Sequence, residues 1–320
     1  MSRNNAAQAF DEVVANSPKM KNLVVTAKKF ALSDAPLLIQ GETGTGKDLI
    51  AKACHQFSQR RQHKFIAVNC GGLPDENAES EMFGYAGDGA GEGKSSQGFF
   101  EYADGGTVLL DNIAELSLSL QAKLLRFLND GTFRRVGEEK EHYANVRVIC
   151  TSQIPLQHYV EEGKVRNDLF HRLNVLTLNI PPLRERREDI ADLADIFIKQ
   201  ISQQLQITTP TMSPTVIQYL QNARWLGNVR ELYNALYRAC SLAEHNTLSI
   251  EGLNLDEKES VPLSVEQFDN QTLEEIMNNF EAQVLRKFYA EFPSTRKLAG
   301  RLGVSHTAIA NKLKQYGIGK

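Results

Sequence analysis

Short, continuous apolar runs recur through the first half of the chain: Pro36–Ile39, Phe65–Val68, Thr107–Leu110, Val146–Ile149 and Val175–Leu178. Unbroken apolar character, rather than alternation, fits strands covered on both faces by helices. Stretches with helical spacing separate them, so the pattern predicts an α/β fold with a parallel sheet. Beyond Pro181-Pro182 only the helical period remains. One helix is predicted over about Glu188–Gln204, with Ile190, Leu193, Ala194 and Phe197 on its apolar face. A second starts at Ser213-Pro214, an N-cap followed by a first-turn proline. A third follows Gly227-Asn228 and aligns Val229, Leu232, Leu236, Ala239 and Cys240. Residues 252–270 keep no period and carry Asp256-Glu257-Lys258-Glu259-Ser260, which reads as a linker. Thr272-Leu273-Glu274-Glu275 then forms a capping box. It opens a long helix whose apolar stripe is Leu273, Ile276, Met277, Phe280, Val284 and Phe288. The expected division is an α/β part over residues 1–187, a helical part over 188–251, the linker over 252–270 and an all-α domain over 271–320.

Composition narrows the class. An apolar fraction of 42% over 320 residues suits two or three modest globular domains. No apolar run approaches the roughly 20 residues of a membrane helix, and the N-terminus has no apolar signal core. The expectation is a soluble cytoplasmic protein with no membrane partner. Cys54, Cys70, Cys150 and Cys240 lie far apart with no paired spacing, which predicts buried free thiols. The seven histidines form no ligand cluster, so a metal-dependent hydrolase has no support. The net charge of −3 hides a polarity. Residues 293–320 hold Arg296, Lys297, Arg301, Lys312, Lys314 and Lys320 and no acid, a formal +6, so the preceding 292 residues carry −9. A basic end on an acidic body points to a polyanion-binding module at the C-terminus.

Gly41-Glu42-Thr43-Gly44-Thr45-Gly46-Lys47-Asp48 sits between the first predicted strand and a helix over Leu49–Phe57. That strand–loop–helix context is what a P-loop requires. Its glycines let backbone amides approach phosphates, the helix N-terminus adds a favourable dipole, and Lys47 reaches the terminal phosphates. Asp48 replaces the usual Ser/Thr; a carboxylate there can hold Mg²⁺ directly or through water. Gly105–Asp111 is an apolar strand ending in an acid, and Asp111 can position Mg²⁺ beside the phosphates. The next residue is Asn112, where a hydrolase needs a glutamate to deprotonate water. An amide cannot take that proton, and losing a general base costs about 10²–10⁴ in rate. ATP binding is therefore expected with little or no hydrolysis, Glu115 being a poor substitute base.

These motifs resemble the AAA+ ATPases, and within them the central domain of bacterial enhancer-binding regulators that act with sigma-54. The resemblance covers roughly residues 10–250. Beside the P-loop and Gly105–Asp111 it rests on Asn69-Cys70, Glu79–Gly84, Arg166–Asn174, Pro181–Arg186 and Gly227–Leu232. It implies a P-loop α/β sheet with helices on both faces and an α-helical lid. In that family an acid at Asp48 is usual. Asn69 would be the polar switch partner of Asp111, Thr151-Ser152 sensor I, and Arg230 sensor II. Arg166 and Arg172 would be arginine fingers reaching a neighbouring subunit's γ-phosphate, worth about 10³–10⁵ in hydrolysis where they act. Fingers acting in trans imply a ring-like oligomer.

Two departures argue against an ATP-driven promoter-melting machine, the runner-up reading. Tyr85–Lys94 is glycine-rich and lacks the Phe-Thr pair of the family's GAFTGA loop, and Asn112 stands where such activators have Glu. Ala122–Gly137 and Pro293–Ala299 are similar instead to a branch of tyrosine-responsive regulators of aromatic amino acid genes, which work with the housekeeping RNA polymerase. That likeness implies tyrosine as an effector in the central domain, mainly repression, and ATP with tyrosine promoting self-assembly. The chain starts at the AAA+ module, so separate sensor domains are not expected and any signal enters through the module itself.

Ser294–Leu313 reads as a helix-turn-helix, with Gly303 permitting the turn and Ser305 capping the second helix. Leu298, Leu302, Val304, Ile309 and Leu313 are expected to pack the two helices. Ser305, His306, Thr307, Ala310, Asn311 and Lys314 would then face a DNA groove, where Asn pairs with adenine and the Thr methyl touches thymine. Arg296, Lys297, Arg301 and Lys312 suit phosphates. With the preceding long helix the segment is similar to the Fis-type DNA-binding domain. That implies a dimer on double-stranded operator DNA, reading two half-sites about one helical turn apart or a multiple of it. With ligand, self-assembly to a hexamer is the larger form expected.

Overall fold

A computed structural model describes residues 8–73, 76–87, 95–243, 246–253 and 272–318. The chain divides into two compact units, residues 1–255 and 256–320.

The first unit begins with α1 (Pro18–Ala31), capped by Ser17, then β1 (Leu37–Gln40) and α2 (Lys47–Phe57). β2 (Phe65–Asn69), α3 (Ala78–Phe83), the short α4 (Phe99–Tyr102) and β3 (Thr107–Asp111) follow. Next come α5 (Leu118–Asp130), a hairpin of β4 (Thr132–Arg134) and β5 (Glu141–Tyr143), β6 (Arg147–Ser152), α6 (Leu156–Glu161), α7 (Asn167–Leu173) and β7 (Leu176–Asn179). Helices alone complete the unit: α8 (Ile190–Leu205), α9 (Pro214–Asn222), α10 (Asn228–Ser241) and the single turn α11 (Ile250–Leu253).

The central sheet has the order β2-β3-β6-β1-β7, and every pair is parallel. Successive residues of each strand face opposite sides. Leu38, Val108, Leu110, Val148 and Cys150 enter one hydrophobic core, while Leu37, Ile39, Leu109, Ile149 and Leu178 enter the other. The two-sided burial that continuous apolar runs predict is therefore present. Because β6 lies between β1 and β3, the carboxyl ends of these three strands are neighbours, where open α/β sheets bind ligands.

A third core, around Trp225, Leu232 and Leu236, holds the lid helices together. Asp189, fully buried, joins the lid to the N-terminal segment. Its Oδ1 accepts from the backbone amides of Asn16 (2.6 Å) and Ser17 (2.7 Å), which fixes the entry of α1.

Several boundaries differ from expectation. β2, β6 and β7 run on past their apolar runs to end in a polar residue, because the hydrogen-bonded ladder continues past the last apolar side chain. α2 begins at Lys47 rather than Leu49, since the P-loop's last glycine leads straight into the helix. Two single 3₁₀ turns, Leu183–Glu185 and Arg187–Asp189, precede α8 and move its start to Ile190. Gly252 and Leu253, expected in the linker, pack in the lid as part of α11; the remainder of that linker, 254–270, and Asp88–Lys94 of the glycine-rich loop lie outside the described residues. All four cysteines are free and buried, and burial pushes the Cys54 and Cys70 thiols up to about 12. Among the described residues no helix is long and apolar enough to cross a membrane.

The second unit is α12 (Leu273–Glu291), α13 (Thr295–Leu302) and α14 (His306–Gln315). The capping box forms: Thr272 Oγ1 accepts from Glu275 N, and the Glu275 carboxylate accepts from Thr272 N (2.7 Å). Leu285, Leu298, Ala299, Ile309 and Leu313 make the core. Of the expected stripe on α12, Leu273, Met277 and Phe280 are exposed within the unit. Val304 was expected to pack the two helices. It is 46% exposed instead, because the turn after Gly303 carries it out of the α13–α14 contact.

Candidate functional site

The P-loop follows β1 as the glycine pattern requires. Gly44 and Gly46 lie at φ +78° and +98°, which favours residues without a Cβ. A Cβ on Gly44 would also sit 2.3 Å from the Gly227 carbonyl oxygen, so glycine is what lets the loop reach the lid. A cavity of about 350 Å³ opens beside it, lined on the sheet side by Thr43, Lys47, Asp48, Asp111 and Asn112.

The predicted residues converge here in detail. Lys47 Nζ donates to the carbonyls of Gly41 (2.8 Å) and Glu42 (3.1 Å), which holds it across the loop. Burial pushes its ammonium below the ordinary value against the opposing pull of Asp111 and Asp48. Burial, with the nearby charge of Asp111, raises Asp48. Two crowded carboxylates whose charged forms oppose each other suit a divalent cation between them, so the donor set fits Mg²⁺. Thr45 is buried and its Oγ1 donates to Glu42 O (2.7 Å). Thr151 Oγ1 donates to Asp111 and accepts from Asn112 N (2.9 Å), orienting both residues from behind. Asn112 itself sits at φ +57°, a conformation that asparagine tolerates.

Other predicted residues lie apart from the cavity. Asn69 pairs in register with Asp111, but its Oδ1 accepts from Gly71 N (3.2 Å) rather than engaging the acid. The Glu115 carboxylate lies against Gly71 and does not line the cavity. Arg166 is paired with Asp168 (2.8 Å), and Arg172 donates to the Leu128 carbonyl at 2.7 and 3.2 Å. Neither arginine lines the cavity of its own chain. Arg230 does line it.

Several contributors were not anticipated. Gln153 lines the cavity and donates to Asn112 Oδ1 (3.3 Å). Phe197 and Tyr233, from α8 and α10, form an aromatic wall with ring centroids 5.3 Å apart. Asn228 is the central tie. It is fully buried, at φ +55°, and its Oδ1 accepts from Leu183 N (2.8 Å). Its Nδ2 donates to the Glu42 carboxylate (3.0 Å) and to Thr43 O (3.0 Å). Glu42 also accepts two bonds from Arg184 (2.6 and 2.8 Å), and that guanidinium, with Asn228, holds it below the usual carboxylate range. Arg186 donates to Thr45 O (2.8 Å) and Val229 N to Gly44 O (2.9 Å). Lid and P-loop are thus one hydrogen-bonded assembly. The helical period placed Phe197, and the Pro181–Arg186 and Gly227–Leu232 motifs hold Arg184, Arg186 and Asn228, but neither carried a sign of contacts across 141 to 186 residues of sequence.

In the second unit Arg296, Lys297, Arg301, His306, Thr307, Asn311 and Lys314 are exposed. Ala310, expected in the groove-facing set, is half-buried. Ser305 is a helix cap, its Oγ accepting from Ala308 N (3.2 Å). Lys312 departs from expectation: its ammonium is held by Glu281 of α12, which turns it away from a phosphate role. Arg301 lies over the Phe288 ring (5.9 Å).

A P-loop on a parallel sheet, a helical lid and a helix-turn-helix together define an AAA+ transcriptional regulator. Residues 13–179 match the sigma-54 interaction domain, 184–267 the AAA+ ATPase lid domain and 270–319 a helix-turn-helix domain. The chain is 65% identical to the HTH-type transcriptional regulatory protein TyrR of Haemophilus influenzae, over all of this chain and 99% of that one. It is 53% identical to the TyrR protein of Enterobacter agglomerans over 97% of its own length, spanning 60% of that relative. Among solved structures, NtrX of Brucella abortus in complex with ATP superposes with a TM-score of 0.69 at 32% identity, covering 96% of this chain and 69% of that one. The chain belongs to the TyrR family of HTH-type transcriptional regulators.

Proposed function

We propose that this regulator uses ATP with Mg²⁺ as an assembly ligand rather than a fuel, and represses aromatic amino acid genes when tyrosine is bound. The observation that carries the reading is Asn112, an amide where hydrolysis needs a base. Its carbonyl oxygen is taken by Gln153 and its backbone amide by Thr151. Gly41–Gly46 and Lys47 would hold the phosphates, Asp48 and Asp111 the Mg²⁺, and Arg230 the γ-phosphate from the lid side. Bound Mg²⁺ would neutralise phosphate charge. ATP-bound NtrX, at 32% identity, supports nucleotide binding in this cavity.

Arg166 and Arg172 face outward for a neighbouring subunit, in keeping with a dimer that grows to a hexamer when ligands bind. In the second unit His306, Thr307 and Asn311 would read base edges of operator DNA while Arg296, Lys297, Arg301 and Lys314 take phosphates. Action is cytoplasmic, on promoters of the housekeeping RNA polymerase.

The test is parallel measurement of ATP binding and phosphate release by the purified chain, with tyrosine and without. Tight binding with negligible release, and operator affinity that rises with ATP plus tyrosine, is the expected result. Sustained turnover abolished by Lys47→Ala would favour the remodelling ATPase instead.

A further inference from the structure

A second cavity of about 310 Å³ lies away from the nucleotide, between α3, α5 and the β4–β5 hairpin. Its size is at the lower end of small-molecule sites, room for one compact ligand. Phe83 and Phe133 line it, both buried, with ring centroids 6.1 Å apart. They belong to a chain of ring contacts that continues through Phe100 and Phe127, so a ligand ring entering here would extend an existing aromatic cluster.

The charges around these rings do not cancel locally. Arg126 and Arg134 both donate to one oxygen of Glu141, so two guanidiniums share a single carboxylate. That leaves most of their ten N–H donors unused, a match for a second carboxylate. Glu138, also in the lining, has His142 as its partner (2.5 Å). That bond occupies one oxygen of Glu138 and leaves the other as an acceptor suited to an ammonium group. The other lining cations are matched: Lys123 with Glu79, and Arg135 bidentate with Glu101 (2.7 and 2.9 Å).

An arginine pair sharing one carboxylate, a glutamate with an open oxygen and an aromatic floor form the complement of a single ligand class. We infer that this cavity binds an amino-acid zwitterion bearing an aromatic ring, and is the effector site of the regulator. The inference rests on the effector reading proposed above and supplies its location. Its walls lead outward. Arg126 lies on α5, and the Leu128 carbonyl of that helix holds the Arg172 guanidinium. The hairpin residue Val136 exchanges backbone bonds with Gly84 (2.8 Å) and Ala86 (2.9 Å), at the base of the glycine-rich loop. Occupancy would stiffen both the helix that positions an outward-facing arginine and the root of that loop.

Equilibrium dialysis of the full chain against radiolabelled L-tyrosine, with ATP and without, tests the assignment. Arg126→Ala with Arg134→Ala, and separately Glu138→Gln, are expected to weaken tyrosine binding about tenfold or more with ATP affinity unchanged. Both arginine side chains are about half exposed, so the fold tolerates their loss. Tyramine, which lacks the carboxylate, and 3-(4-hydroxyphenyl)propionate, which lacks the ammonium, are expected to compete at least about tenfold more weakly than tyrosine. If the wild-type chain binds no tyrosine in either condition, the effector reading falls and this site with it. If the wild type binds and the variants bind equally well, the effector reading stands and this site is refuted. Competition by either analogue on a par with tyrosine overturns the zwitterion assignment.

Discussion

Replacing Asn228 by glycine removes one buried amide that three segments of chain share. Glycine adopts the native φ of +55° without strain, so the change isolates the side chain. The buried Leu183 amide loses its acceptor, which costs about 1–3 kcal/mol as an unsatisfied donor. Thr43 O loses a neutral bond worth about 1 kcal/mol. Glu42 keeps Arg184 and is partly open to water, so its share is the smallest. The total is about 3 kcal/mol, which for a unit of this size lowers Tm by about 6–12 °C. Asn228→Ala adds the cost of a Cβ in the left-handed region, about 1–2 kcal/mol more. Thermal unfolding followed by far-UV circular dichroism measures both, and ATP affinity should fall in parallel because Glu42 and Thr43 are P-loop residues. A glycine variant melting within about 2 °C of the wild type would mean that the amide stabilises nothing, since that shift is less than 1 kcal/mol. Equal melting of the glycine and alanine variants would refute the backbone part.

Other outcomes follow from the same contacts. Asn112→Glu restores a carboxylate beside the cavity and should raise phosphate release about tenfold or more, out of the 10²–10⁴ a general base contributes; an unchanged rate in a malachite-green assay would locate a second defect. Glu42 is held below its ordinary range in the folded chain, so its contribution is present above the unfolded glutamate value, about 4.3, and is lost as pH falls through the folded value. Acid titration of Tm should therefore steepen below about pH 5, and Glu42→Gln should flatten that limb. Arg296→Gln and Lys297→Gln should each reduce the salt slope of operator binding by about 0.9, whereas Lys312→Gln, already paired with Glu281, should change it little. Asn311→Ala should instead cost about 1–3 kcal/mol on the specific operator and much less on random DNA, read by fluorescence anisotropy.

The strands were readable because two-sided burial writes itself as unbroken apolar runs. Some of their carboxyl ends were not, because Asn69, Ser152 and Asn179 are polar residues that continue the ladder beyond the apolar run. The β4–β5 hairpin escaped notice for a related reason: three-residue strands such as Thr132-Phe133-Arg134 carry neither a run nor a clear alternation. P-loop glycines and the Asp111–Asn112 pair announce themselves by local spacing. The Glu42–Arg184–Asn228 tie cannot, since it exists only once the lid folds back onto the sheet. Lys312 shows the same limit, its basic character suggesting phosphate until α12 presents Glu281.

The bond from Val229 N to Gly44 O, with the Gly44 and Gly227 backbones too close for any side chain between them, acts as a fulcrum. α10 starts at that point and runs for 14 residues, a rigid arm of about 21 Å. Tilting it by about 5° at the P-loop sweeps its far end through about 2 Å. Packed interfaces switch rather than bend under shifts of that size. A change of loop geometry too small to notice at Gly44 is therefore geared up, along one helix, into a step that a neighbouring surface can register.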